Sequence, residues 1–175
     1  MLANIHNYGD RISAGKETEA KILNALRKMG QQISDPTPEE DKYKKIDGWW
    51  DLKGTKRPVQ VKFRETGDDI LFELVKDIDR NIDGRDLISE ADLYLVVNRE
   101  GTTRVFLSKP IKEKAKEILA IVEKDRAQSP FKVNWWGTDW QVKLQIDRAH
   151  GQRKLVAYFK PELFNALATW KLNIH

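Results

Sequence analysis

Six consecutive residues, Val59-Gln60-Val61-Lys62-Phe63-Arg64, alternate strictly between apolar and polar side chains. Side chains alternate across a β-strand, so the stretch reads as a strand with Val59, Val61 and Phe63 on one face and Gln60, Lys62 and Arg64 on the other. One face suits a core; the other is a row of an amide and two cations. A strand of this kind needs partners. Residues 43–52 supply one, with a turn over Gly54 to Arg57 and Pro58 at the strand start, where a missing N–H is tolerated. Residues 69–76 (DILFELVK), 92–98 (DLYLVVN) and 103–108 (TRVFLS) supply others.

Helical periodicity brackets these strands. In residues 16–29 (KETEAKILNALRKM) the apolar stripe is Ile22, Leu23, Leu26 and Met29, and Gly30 falls where a helix would stop. Residues 31–42 carry Pro36 and Pro38 and read as a loop. Residues 110–127 form a second amphipathic helix, with Pro110 near its first turn and Ile111, Ala115, Ile118, Leu119 and Val122 on its apolar side. The tail reads as a hairpin, 139–147 with 153–159 around a turn near Gly151, then a short helix from Pro161. The expected fold class is α/β (α+β), a mixed sheet with helices packed against it. With no internal repeat or clear linker, residues 1–175 are expected to form a single domain, its core about 15–127 and an extension over 128–175.

A chain of 175 residues buries a core without disulfides or structural metal. At 40% hydrophobic and 33% charged residues it reads as a folded soluble protein rather than a disordered one. Cysteine is absent, which excludes disulfides and thiolate metal sites. No apolar run is long enough to span a bilayer, and Met1-Leu2-Ala3-Asn4 does not open a signal peptide, so a cytoplasmic location in a bacterial, archaeal or viral-host cell is the expectation. His6, His150 and His175 lack metal-binding spacing. No glycine-rich phosphate loop argues for a nucleotide cofactor, and no nucleophile elbow appears.

The net charge of +4 is modest, but it is unevenly spread. Residues 42–64 hold Lys42, Lys44, Lys45, Lys53, Lys56, Arg57, Lys62 and Arg64 against only Asp47 and Asp51, whereas residues 65–92 are strongly acidic. A basic stretch around isolated aspartates is what a phosphate-binding metal site needs, although a solvated hairpin would carry the same charges.

Glu19 lies three, four and seven residues before Ile22, Leu23 and Leu26, so it belongs to the helix stripe that faces the sheet. A carboxylate aimed inward needs a cation or a metal, because an unpaired buried charge is costly. Asp47 lies on the strand 43–52 that pairs with 58–65 and would lie across from Gln60 or near it, beside Lys62. Two carboxylates, an amide oxygen and an ammonium then share one place. Hard oxygen donors suit Mg²⁺ or Mn²⁺, and Lys62 could orient a water or stabilise developing charge.

This pattern, Asp47 followed by Gln60-Val61-Lys62, resembles the PD-(D/E)XK nuclease superfamily. Gly15-x-x-x-Glu19, Gly30 at the helix end and the gap from Asp47 to Gln60 are similar to the archaeal Holliday junction resolvase branch. The resemblance is carried by residues 15–65. It implies a restriction-endonuclease-like αβββαβ core and Mg²⁺-dependent (or Mn²⁺-dependent) hydrolysis of DNA phosphodiester bonds. Glu19, Asp47, Gln60 and Lys62 would be the catalytic residues, with Glu19, Asp47 and Gln60 as the metal ligands. The departure is Gln60, where glutamate is usual: it keeps a ligand oxygen and loses a charge. DNA is the implied partner, in repair or recombination, and a homodimer would suit symmetric cutting of two strands.

Lys53, Lys56, Arg57 and Arg64 are candidate phosphate contacts, and Trp49 a candidate stacking residue, each with core packing or simple solvation as its alternative. Two further classes stay open. One is a catalytically inactive nucleic-acid-binding module on the same fold, favoured by Gln60; the other is a partner-binding protein, favoured by the tryptophans at 135, 136 and 140.

Overall fold

The alternation at 59–64 decides which way the central sheet faces. The computed structural model describes residues 8–148 and 150–173, with side chains from residue 15 onward. In chain order the first elements are α1 (Tyr8–Lys28), β1 (Gln32–Ser34), β2 (Gly48–Leu52), β3 (Thr55–Arg64), β4 (Ile70–Asp77), β5 (Ile82–Asp83) and α2 (Arg85–Ile88). There follow β6 (Leu93–Asn98), β7 (Thr102–Leu107), α3 (Ser108–Gln128), β8 (Asn134–Trp136), β9 (Trp140–Asp147), β10 (Gln152–Phe159) and β11 (Ala168–Lys171).

Among the described residues, one sheet has six strands in the order β1-β2-β3-β6-β7-β11, and a second has five in the order β5-β4-β10-β9-β8. The larger sheet is mixed: β3 and β6 run parallel and its other neighbours antiparallel. The fold is therefore α+β, a mixed sheet flanked by helices.

β6 is central because its run Leu93 to Val97 is buried on both sides, as a parallel strand requires. Leu93, Leu95 and Val97 join Val59 and Val61 and, from α1, Ile22, Leu23 and Leu26 in one core. Tyr94 and Val96 join Phe72 of β4, Ile111 and Ile118 of α3, and Phe159 of β10 in another. So α1 covers one face of the larger sheet, while α3 and the smaller sheet cover the other. A fully buried Leu, Ile or Phe contributes about 1.5–3 kcal/mol relative to exposure. Among the described residues no helix is long and apolar enough to cross a membrane.

Where the structure departs from the sequence reading, local geometry explains it. The strand expected over 43–52 begins only at Gly48, because Glu40–Lys44 form a π-helical turn closed by Lys45 at φ 55°. The hairpin turn is Lys53-Gly54, with φ of 55° and 85°, and comes ahead of the expected Gly54–Arg57. Two successive positive φ values are what a tight two-residue hairpin turn demands. Lys56 and Arg57 consequently belong to β3. Met29 lies past the last turn of α1 and is 53% exposed, so it is not part of the buried stripe. The C-terminal hairpin is not merely an appendage: β10 pairs along β4, and β11 completes the larger sheet beside β7.

Candidate active site

The site forms where β2 stops accompanying β3. The two strands pair from Leu52–Thr55 to Gly48–Val59, and β3 then runs on to Arg64 with β6 at its other edge. Asp47 stands at the parting. Its N–H donates to the Val59 carbonyl at 2.8 Å, and its Oδ2 accepts the Val61 N–H at 2.7 Å. The carboxylate thus satisfies a β3 donor that β2 no longer reaches, as buried backbone groups require.

Clefts open around this free edge. One of about 380 Å³ is lined by Lys16, Glu19, Asn24, Arg27, Asp41 and Asp47. Another of about 230 Å³ is lined by Glu19, Gln60, Lys62, Glu73, Arg85 and Asp86. Glu19 borders both. It comes from the α1 side of the sheet and Gln60 and Lys62 from the opposite side, and all three line the second cleft. The four sequence-derived site residues are thus divided between two clefts, Asp47 with Glu19 in one and Gln60 and Lys62 with Glu19 in the other, rather than lying on one face.

The carboxylates are electrostatically uneasy. Burial, then the neighbouring Asp47 charge, push the Glu19 carboxyl up to about 7 against the pull of Arg85. Burial also raises Asp47, opposed by Arg85, by the Val61 N–H and by Lys62. Arg85 Nη2 donates to Asp47 Oδ1 at 3.1 Å.

Lys62 has a different partner from the one its position suggests. Its ammonium pairs with Asp86, the two side chains being only 10% and 3% exposed, and lies 5.4 Å from the Tyr94 ring centroid and 5.9 Å from that of Phe72. Asp86 Oδ1 also accepts from Gln60 Nε2 at 3.2 Å, and its Oδ2 accepts the Glu73 N–H at 2.6 Å. A carboxylate only accepts, so the Gln60 amide must turn its NH₂ to Asp86 and its oxygen away. That oxygen, Gln60 Oε1, is buried and has no hydrogen-bond partner among the described residues.

Those features fit a hard divalent ion. Among the described residues no three His, Asp or Glu side chains form a metal-holding group by themselves. The available donors are instead two carboxylates of raised pKa and an orphaned amide oxygen. Mg²⁺ keeps several waters and takes only a few protein oxygens, so an incomplete set suits it. A cation beside Glu19 and Asp47 would relieve their repulsion, and Gln60 Oε1 is an unpartnered oxygen on a residue of the adjoining cleft that Glu19 also lines.

The candidate nucleic-acid contacts lie in other settings. Lys53 and Lys56 are exposed near the hairpin tip, roughly 16 Å and roughly 10 Å along β2 from Gly48. Arg57 is 3.7 Å from Asp92, and Trp49 Nε1 donates to Glu40 at 3.1 Å. Arg64 lines the Gln60 cleft but is 3.5 Å from Asp69 and lies over the Tyr158 ring. Sequence reasoning missed Arg85, Asp86 and Glu73. They were visible only as members of the acidic stretch 65–92, and α2 at four residues is too short to show periodicity.

No protein-family model matches the chain, and no curated protein is similar to it at a significant level. Among solved structures, a bacterial homing endonuclease, I-Ssp6803I, is similar over 62% of this chain and 68% of its own, at 21% identity and a TM-score of 0.34.

Proposed function

We propose that the chain is a divalent-metal-dependent deoxyribonuclease that hydrolyses DNA phosphodiester bonds, as an endonuclease on branched or replication and repair DNA. The observation that carries this reading is Gln60 Oε1, buried, without a hydrogen-bond partner among the described residues and fixed in direction by Asp86, on a residue that lines a cleft with Glu19, which in turn lines the neighbouring cleft with Asp47. Glu19, Asp47 and Gln60 would hold Mg²⁺ or Mn²⁺. Such an ion, when bound, lowers the pKa of a water and offsets charge on the phosphate.

The chain's own residues do the rest. Lys16, Arg27 and Arg64 line the clefts and attract the phosphate backbone. Lys62 places a positive charge at the floor of the site, where low water access makes it effective against charge developing on the phosphate. Asp86 keeps both Lys62 and the Gln60 amide in position. In the reaction the water oxygen bonds to phosphorus and one ester P–O bond breaks. A phosphate monoester and an alcohol result, the water's proton ending on the departing oxygen. Two-strand cutting on this scheme calls for two copies of the site, hence a homodimer.

One observation favours a second reading, a DNA-binding module that does not cut: the Lys62 ammonium turns to Asp86 and the rings of Tyr94 and Phe72, not to Asp47. The deciding experiment offers linear, supercoiled, single-stranded and four-way-junction DNA with Mg²⁺, Mn²⁺ or EDTA. The nuclease reading expects metal-dependent nicking that falls about 100-fold or more in Asp47→Ala and Lys62→Ala. Salt-sensitive binding of the same DNAs with no cleavage in any metal selects the second reading.

A further inference from the structure

Arg85 occupies the place where a cation is needed. Its guanidinium bonds Asp47 Oδ1, and it borders the cleft that holds Glu19, Gln60, Lys62 and Asp86. Its Nε is buried and has no hydrogen-bond partner among the described residues, while 41% of the side chain still reaches solvent. The backbone beneath it is pinned. Arg85 N–H donates to Glu73 Oε1 at 2.9 Å, and Asp86, the next residue, is anchored by Lys62, Gln60 and the Glu73 N–H. The root of the side chain is fixed, whereas its tip is held by one hydrogen bond among the described residues.

A divalent ion on Asp47 and Glu19 would face the guanidinium across a few ångströms of partly buried space, where like charges repel strongly. The guanidinium has to move off Asp47, and the solvent-facing side of the cleft is open to it. A planar guanidinium presents paired N–H donors that match the oxygens of a phosphate. We infer that Arg85 is a phosphate-binding residue stored on Asp47 until a divalent ion takes that carboxylate, when its freed guanidinium pairs with a DNA backbone phosphate in the same cleft. The inference rests on the nuclease reading and adds to it a coupling: metal binding and grip on DNA strengthen each other through one arginine.

The test uses the full chain, Mn²⁺ alone in calorimetry, and a labelled DNA duplex in fluorescence anisotropy over a salt series, with EDTA or with Ca²⁺. Arg85→Gln should bind Mn²⁺ several-fold more tightly than the unaltered chain, because a competing cation is gone. Its DNA affinity should lose about one unit of salt slope in Ca²⁺ and none in EDTA. Should Arg85→Gln fail to fold, Asp47→Asn approaches the same point from the other side. With its hold on Arg85 weakened, it should gain about one unit of salt slope in EDTA, without any metal. Equal slope loss in EDTA and Ca²⁺, weaker Mn²⁺ binding by Arg85→Gln, or an unchanged slope in Asp47→Asn would each overturn the inference. If the unaltered chain binds Mn²⁺ through Asp47 and Arg85→Gln changes nothing, this inference falls alone. If the unaltered chain binds no Mn²⁺, the metal-dependent reading falls with it.

Discussion

Glu19 shows how one carboxyl can report on the whole site. Its spacing to Ile22, Leu23 and Leu26 placed it on the sheet side of α1, and the structure puts it at the border of both clefts. Its carboxyl is raised from 4.5 to about 7 in the fold, so the metal-free protein gains most from it below the unfolded value. That contribution fades as pH climbs from about 4.5 through 7, by something on the order of 2 kcal/mol once solvent screening is allowed for. The raised Asp47 carboxyl acts in the same direction. Glu19→Gln should flatten this slope in metal-free thermal or urea unfolding measured between pH 5 and 8. Mn²⁺ runs the other way: a ligand carboxylate must be deprotonated, so affinity should rise through about pH 7 in the unaltered chain and lose that rise in Glu19→Gln. A stability curve identical in the two proteins would sink the assignment.

At the scale of elements, the informative piece is α2, four residues that no sequence pattern announces. It stands where it does because Gly84 fits against β4. The Gly84 N–H donates to the Leu74 carbonyl at 3.0 Å, and a Cβ there would come within 1.9 Å of the Glu73 carbonyl oxygen and 2.7 Å of the Leu74 carbonyl carbon. Those atoms are backbone, so the helix rather than the strand must give way. Gly84→Ala should cost about 1–3 kcal/mol in thermal unfolding. It should also weaken Mn²⁺ binding, because Asp86, which orients the Gln60 amide, rides on α2. A variant with unchanged stability and metal affinity would show that α2 does not position the site. By contrast, the strong periodic elements were legible. The alternation in β3 and the stripes of α1 and α3 report directly which side each buries, since period 2 and period 3.6 are properties of the chain itself. Gly48 as the true start of β2 was not legible, because it depends on a π-helical turn whose side chains are ordinary surface residues.

For the whole molecule, the decisive fact is that β4 leaves the larger sheet and is sandwiched between β5 and β10. Phe72, Leu74 and Ile70 of β4 are fully buried, and Leu155, Ala157 and Phe159 of β10 share their core. Strands β8, β9 and β10 therefore complete the layer that roofs Gln60 and Lys62, and β11 completes the larger sheet. A chain ending at Gln128 should show no cooperative thermal transition and should expose apolar surface to a hydrophobic dye; a cooperatively folding fragment would refute this.

By itself the sequence determined the periodic elements, the inward aim of Glu19, the polar row of β3 and the proximity of Asp47 to that row, because each follows from spacing within a few residues. Only the tertiary structure decided that Lys62 pairs with Asp86, that Gln60 turns its oxygen away unpartnered, and that Arg85 rests on Asp47. Those pairings join residues 24, 26 and 38 positions apart, and nothing local encodes which of ten nearby acids a buried cation will meet. The strand pairing, by which β4 crosses to β10 and brings α2 down over the free edge of β3, makes that choice.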